Sequence, residues 1–334
     1  MNSYLYTLAN SLIQRILKVR RDKKNVFIRE IAKESDGLTL LDIGSAGGVE
    51  KRWLPITERL NYIGVEPDER SYSLLSNLHN CKSYNIINSV VWSEKKELTF
   101  NLCRKPSVSS VFRPNNEFLD RFPNPKMFEI VDTVSVESST LDIELGDVQV
   151  DFAKLDIQGA ELFALKGMQN HLPSCLGLEI EVEFSSLYER QPLFGEVSNY
   201  LNDFGFEFID FTSLLRWERN GYNSPLYIFG KRYTHNSYGQ SLCGDGLWMR
   251  SPEDVAKNFS NKCFEYILIC TLYGRFDLAQ KIIEITKPKL SKNYKTSLDI
   301  LIKNQKRTRK TNLLFNYLIK FIYGESTVRS HLCL

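Results

Sequence analysis

The chain has 334 residues, 43% hydrophobic and 25% charged, a composition that suits folded globular domains and excludes a disordered or fibrous chain. Its formal net charge of +3 is too small for this length to suggest nucleic acid as a partner. The seven cysteines form no C-x-x-C pair and have no His cluster beside them, so neither zinc nor a disulfide framework is expected.

In chain order, Tyr4, Leu5, Leu8, Leu12, Ile13, Ile16 and Leu17 share one helical face, and Lys18, Arg20 and Arg21 follow where cations offset the helix dipole. This basic run comes after the apolar residues and no small-residue cleavage site is evident, so no secretory signal is expected. No stretch approaches the roughly 20 apolar residues that cross a bilayer, and a reducing, cytoplasmic location is the default.

From residue 38 short apolar runs alternate with helical stretches, the sequence form of βαβ units. Strands are expected at 38–43, 62–65, 84–91, 152–157, 176–182, 206–211 and 226–229, and helices at 68–78, 160–172 and 194–204. An added hairpin at 98–102 leads into the loop PSVSSVFRPN. Only a loop through Arg216 and Asn220 separates the last two strands, which predicts an antiparallel pair. Ser251-Pro252-Glu253-Asp254 is a helix start, with an N-cap Ser, Pro at the first position and acids in the first turn. Gly274 then separates amphipathic segments at 255–273 and 278–285, and a further helix is expected at 312–323. Three parts follow: an N-terminal helical segment (1–37), a doubly wound seven-stranded α/β domain (38–250) and a helical extension (251–334).

The first strand ends in Asp42-Ile43-Gly44-Ser45-Ala46-Gly47-Gly48, where small residues let the backbone turn tightly and approach a ligand. A dinucleotide fingerprint would need glycine at 44, 46 and 49, but those positions hold Gly44, Ala46 and Val49, which disfavours a nicotinamide dehydrogenase. Asp42 suits a ligand with a positive amino or sulfonium group, and Gly44, Ser45 and Gly48 are assigned to the same ligand. Glu66 lies 24 positions after Asp42 (66 − 42), at the end of the second strand, where a carboxylate accepts bonds from ribose hydroxyls, and it is assigned with Pro67 to the same ligand. Taken alone, Glu66 also reads as a solvated strand end.

Four segments, LLDIGSAGGVEKRWLP, YIGVEPDERS, DFAKLDIQGAELFALKGM and LGLEIEVEFSSLYERQPLFGEV, span residues 40–197 and resemble the FkbM family of S-adenosylmethionine-dependent methyltransferases. The third is the most specific, with Lys154, Asp156, Gly159, Ala160, Glu161, Leu165 and Gly167 in the pattern K-x-D-x-x-G-A-E followed by L-x-G. SSVFRPN and GQSLCGDGLWMR also resemble parts of one branch. The resemblance implies a Rossmann-like class I methyltransferase fold, S-adenosylmethionine as cofactor, and methyl transfer to oxygen on a sugar, glycan or related natural-product acceptor. Ser45 and Ala46 stand where many relatives carry Ala and Asn, and residues beyond about 255 lie outside the resemblance.

Asp156 ends the fourth strand, and ligands of such sheets lie at the carboxyl ends of the strands. Methyl transfer is a one-step displacement, so the protein aligns donor and acceptor and removes the acceptor proton. Asp156 is assigned that task, directly or through a bound cation. Glu179, Glu181 and Glu183 alternate along the fifth strand and share one face. Glu181 joins Asp156 as a catalytic candidate, and Glu183 and Arg190 are assigned to the acceptor. No metal-ligand set is assigned, although these carboxylates are chemically suited to Mg²⁺ or Ca²⁺. The alternative is a strand end that meets solvent or pairs with Arg190 or Lys154.

Glu161 reads as a helix N-terminal acid, and His79, His171 and His235 as isolated structural residues. Asp245 and Arg250 either shape an acceptor pocket or flank a turn at Gly244 and Gly246. The basic run Lys303, Lys306, Arg307, Arg309 and Lys310 is explained by a solvated helix end, with contact to an anionic membrane surface as the alternative. A second function class is a non-catalytic interaction module of a carbohydrate-assembly complex, docking through the C-terminal helices.

Overall fold

The computed structural model describes residues 25, 26, 28–67, 80–220, 226–228, 231–233 and 239–287. The helices expected at 4–17, 68–78 and 312–323, His79, His235 and the basic run at 303–310 lie outside the described residues.

A helical stretch over residues 28–34 (α1) leads into β1 (Leu38–Ile43), β2 (Leu60–Val65), β3 (Ser83–Ile87), β4 (Val90–Val91) and β5 (Glu97–Cys103). A single helical turn, α2 (Asn116–Leu119), precedes β6 (Ile130–Ser139), α3 (Leu141–Leu145), β7 (Phe152–Leu155), α4 (Glu161–Lys166), β8 (Gly177–Glu183) and α5 (Phe194–Asp203). The chain continues through β9 (Glu207–Phe211), β10 (Leu215–Trp217), β11 (Leu226–Ile228), β12 (Lys231–Tyr233), β13 (Gln240–Met249), α6 (Pro252–Asn258), α7 (Cys263–Leu272) and α8 (Phe276–Thr286).

The central sheet has the order β3-β2-β1-β7-β8-β13, and β9 and β10 pair with β13 beyond it. β1, β2, β3, β7 and β8 run parallel, and β13 is antiparallel to β8, β9 and β10. This is a doubly wound sheet that reverses direction at β1 and ends in antiparallel strands, as expected, but the antiparallel β13 is inserted between β8 and β9. The closing strand is not the expected one: Leu226–Ile228 pairs with β12 in a separate ribbon, and Gln240–Met249 completes the sheet. Gly244 and Gly246, read as turn residues, lie inside β13. A side chain at Gly244 would meet the Ser213 carbonyl oxygen at 2.6 Å, so the close approach of the adjoining chain, rather than a turn, demands glycine.

Three other boundaries move. The run at 84–91 divides into β3 and β4, and β4 pairs with β6 outside the main sheet. The strand at 98–102 extends to β5, but its partner is the distant β6 rather than the other arm of a tight hairpin. The helix expected at 160–172 keeps α-geometry only to Lys166.

Alternation along each strand divides the core into two layers. Leu38 and Leu40 of β1 face α1, α7 and α8, whereas Leu41 and Ile43 face the layer that includes α4 and α5. The segment at 255–273 forms two helices, α6 and α7, and Ser251 caps α6 by accepting from the Asp254 N–H at 3.1 Å. Nearly all of α7 is buried, which is why it reads as apolar all round; α8 buries Phe276, Ala279 and Ile282 on one side. Both helices share one core with β1, β2, Trp53 and Phe152. Arg250 ties together the segment leading into β8, the end of α5 and the start of α6: its guanidinium donates to the carbonyls of Leu172, Pro173, Cys175 and Phe204 and to Asp254. It therefore lies at the end of the sheet opposite the expected ligand site. No helix among the described residues is long and apolar enough to cross a membrane.

Candidate active site

Strand register lines up three ionisable groups on the α7 face of the sheet. Asp42 of β1 is level with Lys154 of β7, and Lys154 with Glu179 of β8. Burial alone would lower the Lys154 pKa, but Asp42, Asp156, Glu50 and Glu179 outweigh it and raise the value, so the ammonium stays charged. It lies 3.9 Å from Glu50 and 3.7 Å from Asp156. Burial raises the Asp42 pKa, with Lys154 and Tyr62 opposing. One Asp42 oxygen, Oδ2, accepts from the Tyr62 hydroxyl at 2.8 Å; the other, Oδ1, is buried with no partner among the described residues.

The glycine loop follows directly. The N–H groups of Gly44 and Ser45 donate to the Val65 carbonyl at 2.9 and 3.3 Å, tying the loop to the end of β2 beside Glu66. Gly44 has φ of 84°, and a Cβ there would stand 2.1 Å from the Asp156 carbonyl oxygen, so only glycine lets the loop press against the end of β7. Glu66 is buried and its N–H donates to Ile87, while Pro67 is exposed.

One step further toward the carboxyl ends, Asp156, Glu181 and Asp245 come together; Glu181 and Asp245 are register partners across β8 and β13. Gln158 holds this group. Two successive left-handed residues, Gln158 (φ 56°) and Gly159 (φ 95°), turn the chain back. The Gln158 amide then donates to Asp156 at 3.2 Å and Glu181 at 2.7 Å, and its Oε1 accepts from the Tyr188 hydroxyl at 3.2 Å. Ser110 donates to the Gln158 carbonyl at 2.7 Å, so the excursion between β5 and β6 braces the same turn.

Glu161 accepts from the Ile157 N–H at 2.8 Å, and burial pushes its pKa up to about 7. Burial, then the neighbouring carboxylates, raises Glu181 and Glu183 well above the usual range; Asp245 is also raised, chiefly by burial. Glu161 therefore holds its proton towards neutral pH, and all four acids keep theirs more tightly than free carboxyls do, which suits general acid–base work. Among the described residues no group of three or more His, Cys, Asp and Glu is arranged to hold a metal ion.

The structure thus brings together Asp42, Gly44, Ser45, Gly48, Asp156, Glu181 and Glu183, with Glu66 at the neighbouring strand end. Arg190 is not among them: it is exposed, makes no ion pair among the described residues, and turns the chain at φ 60° so that Gln191 enters the interior. Glu179 is engaged by Arg52 at 3.1 Å, Tyr273 at 2.8 Å and Thr212, not by Arg190. Tyr62, Gln158, Tyr188 and Arg52 escaped the sequence reading as site residues. Gln158 sat in plain view inside the Lys154–Gly167 block, whereas the others become visible only once strands are aligned.

A family model described as "Methyltransferase FkbM domain" matches residues 42–208, half of the chain, and encloses the glycine loop, Asp42, Lys154, Asp156, Glu179 and Glu181 but not Asp245. The chain belongs to the FkbM methyltransferase family. No curated protein matches the chain significantly. Solved structures similar to this FkbM-family chain include magnesium protoporphyrin IX methyltransferase from Synechocystis PCC 6803 with bound SAM, at 11% identity and a TM-score of 0.32, covering 70% of this chain and 81% of that one. A TehB-like SAM-dependent methyltransferase from Corynebacterium glutamicum shows 10% identity and a TM-score of 0.30, covering 73% of this chain and 98% of its own. Precorrin-6y C5,15-methyltransferase from Geobacter metallireducens GS-15 shows 9% identity and a TM-score of 0.32, with 68% and 88% covered.

Proposed function

We propose that this FkbM-family protein transfers the methyl group of S-adenosylmethionine to a hydroxyl of a sugar, glycan or related natural product. The observation that carries the reading is the juxtaposition of a buried Asp42 oxygen without a partner among the described residues, at the end of β1 before the glycine loop, with the Asp156–Gln158–Glu181 group at the next strand ends. A buried carboxylate oxygen without a donor is costly, and the amino group of the donor satisfies it. Glu66 accepts from the ribose hydroxyls, and the surrounding carboxylates favour a sulfonium. Bound there, S-adenosylmethionine supplies an electrophilic methyl group.

The chain's own residues do the rest. Asp156 takes the proton of the acceptor hydroxyl, Glu181 and Glu183 hold adjacent acceptor hydroxyls, and Gln158 keeps Asp156 and Glu181 in one orientation. The acids here outnumber the cations Lys154 and Arg52, so the end of the acceptor that enters is rich in hydroxyls and free of phosphate.

Calorimetry with S-adenosylmethionine tests the donor site. The wild-type chain is expected to bind it, and Glu66→Ala to weaken binding about tenfold or more, the effect of losing hydrogen bonds to a charged group. Absence of binding by the wild type at millimolar donor sinks the proposal, and unaltered affinity in the variant removes Glu66 from it.

A further inference from the structure

Tyr273 caps α7, well beyond residue 208 where the family match ends. Its ring packs beneath the loop, with centroids 6.0 Å from Trp53 and 5.1 Å from Phe152, and the Arg52 guanidinium carbon lies 4.0 Å over its centre. Its hydroxyl donates to Oε2 of Glu179 at 2.8 Å, while Oε1 accepts from Arg52 at 3.1 Å and from the Thr212 hydroxyl. Arg52 and Trp53 follow the glycine loop by only a few residues, and Glu179 stands level with Lys154 in the row that begins at Asp42. Glu179 is 3% exposed, and a carboxylate so enclosed is stable only with its donors in place. Removing one donor leaves the carboxylate short of a bond and loosens its hold on Arg52.

We propose that Tyr273 is a positioning residue for the methyl-donor site: through Glu179 and Arg52 it fixes the loop from Gly44 to Glu50 in the conformation that binds the donor. Helix α7 is then part of the donor site although it lies outside the family domain. The inference rests on the reading of that loop as the S-adenosylmethionine site.

A matched control is available on the same helix. Tyr266 is also buried, and its hydroxyl donates to the Arg250 carbonyl at 2.7 Å, at the opposite end of the sheet. Tyr273→Phe keeps the ring and loses the hydroxyl; Tyr266→Phe loses an equivalent bond without touching Arg52 or Glu179. Calorimetric titration of the full chain with S-adenosylmethionine is expected to show affinity about five- to tenfold weaker in Tyr273→Phe, as for one lost hydrogen bond to a charged group. Tyr266→Phe is expected to lower the melting temperature but leave affinity unchanged. Arg52→Gln also weakens binding, and adding Tyr273→Phe to it costs less than the product of the two separate losses, since both act through Glu179.

Unchanged affinity in Tyr273→Phe, an equal loss in Tyr266→Phe, or full additivity with Arg52→Gln overturns the proposal. Failure of the wild type to bind donor refutes the loop assignment itself and this inference with it. Wild-type binding alongside any of the other three results refutes the Tyr273 role alone.

Discussion

Glu161 is fully enclosed, and its pKa of about 7 against an ordinary 4.5 makes it a source of pH dependence in folding. Between those values the folded chain keeps a proton that the unfolded chain has lost. The stability contributed by this group is therefore complete below pH 4.5 and disappears as pH rises through about 7. Glu181, Glu183 and Asp245 are shifted in the same direction and add to the trend. Glu161→Gln keeps an oxygen to accept from Ile157 but carries no charge. It is expected to be more stable than the parent at pH 8, by on the order of 2 kcal/mol, with the gain shrinking towards pH 5. Thermal melting across that range checks this, and an offset independent of pH contradicts it. The site as a whole places protonatable acids next to a permanently cationic Lys154, so small changes in one group are felt by the others.

At the scale of elements, the glycine loop is the join between β1, β2 and β7. Gly44→Ala combines an unfavourable φ with a Cβ 2.1 Å from the Asp156 carbonyl oxygen, a backbone atom that cannot swing away. Loss of donor binding with a melting temperature lowered by several degrees is expected, and calorimetry paired with circular dichroism reads both. The loop itself was legible in the sequence, as were β1, β2, β7 and β8, because strands buried on both faces appear as short continuous apolar runs. The shared face of Glu179, Glu181 and Glu183 was legible from their spacing. What each one touches was not, since Glu179 meets Arg52 and Tyr273 from segments 127 and 94 residues away. Likewise, β13 hid behind Gly244-Asp245-Gly246, whose composition is that of a turn until a neighbouring backbone explains it. Asp245 and Arg250 read alike in sequence, yet Asp245 lies in the middle of β13 opposite Glu181, Arg250 follows the strand's last residue, and the two do unrelated work.

For the whole molecule, α6 to α8 are structural partners of the sheet. They cover Leu40, Tyr62, Phe152 and Met249 in a single core. Burying each large apolar side chain contributes about 1.5–3 kcal/mol, so uncovering this face outweighs the roughly 5–15 kcal/mol that holds a typical domain together. A chain ending at residue 250 is expected to lose its cooperative thermal transition, and a sharp transition near the parental temperature contradicts this. Strand order has a further consequence for how the chain matures. β13 pairs with β8 across 60 residues at one end and 72 at the other (243 − 183 and 249 − 177), and β9 reaches the sheet only through β13. Such distant pairings form late and slowly, because a long loop must close first. During synthesis, β8 therefore emerges from the ribosome long before its partner and waits with an open edge. That interval is when a nascent chain most readily pairs with a neighbour, and when chaperone protection matters most.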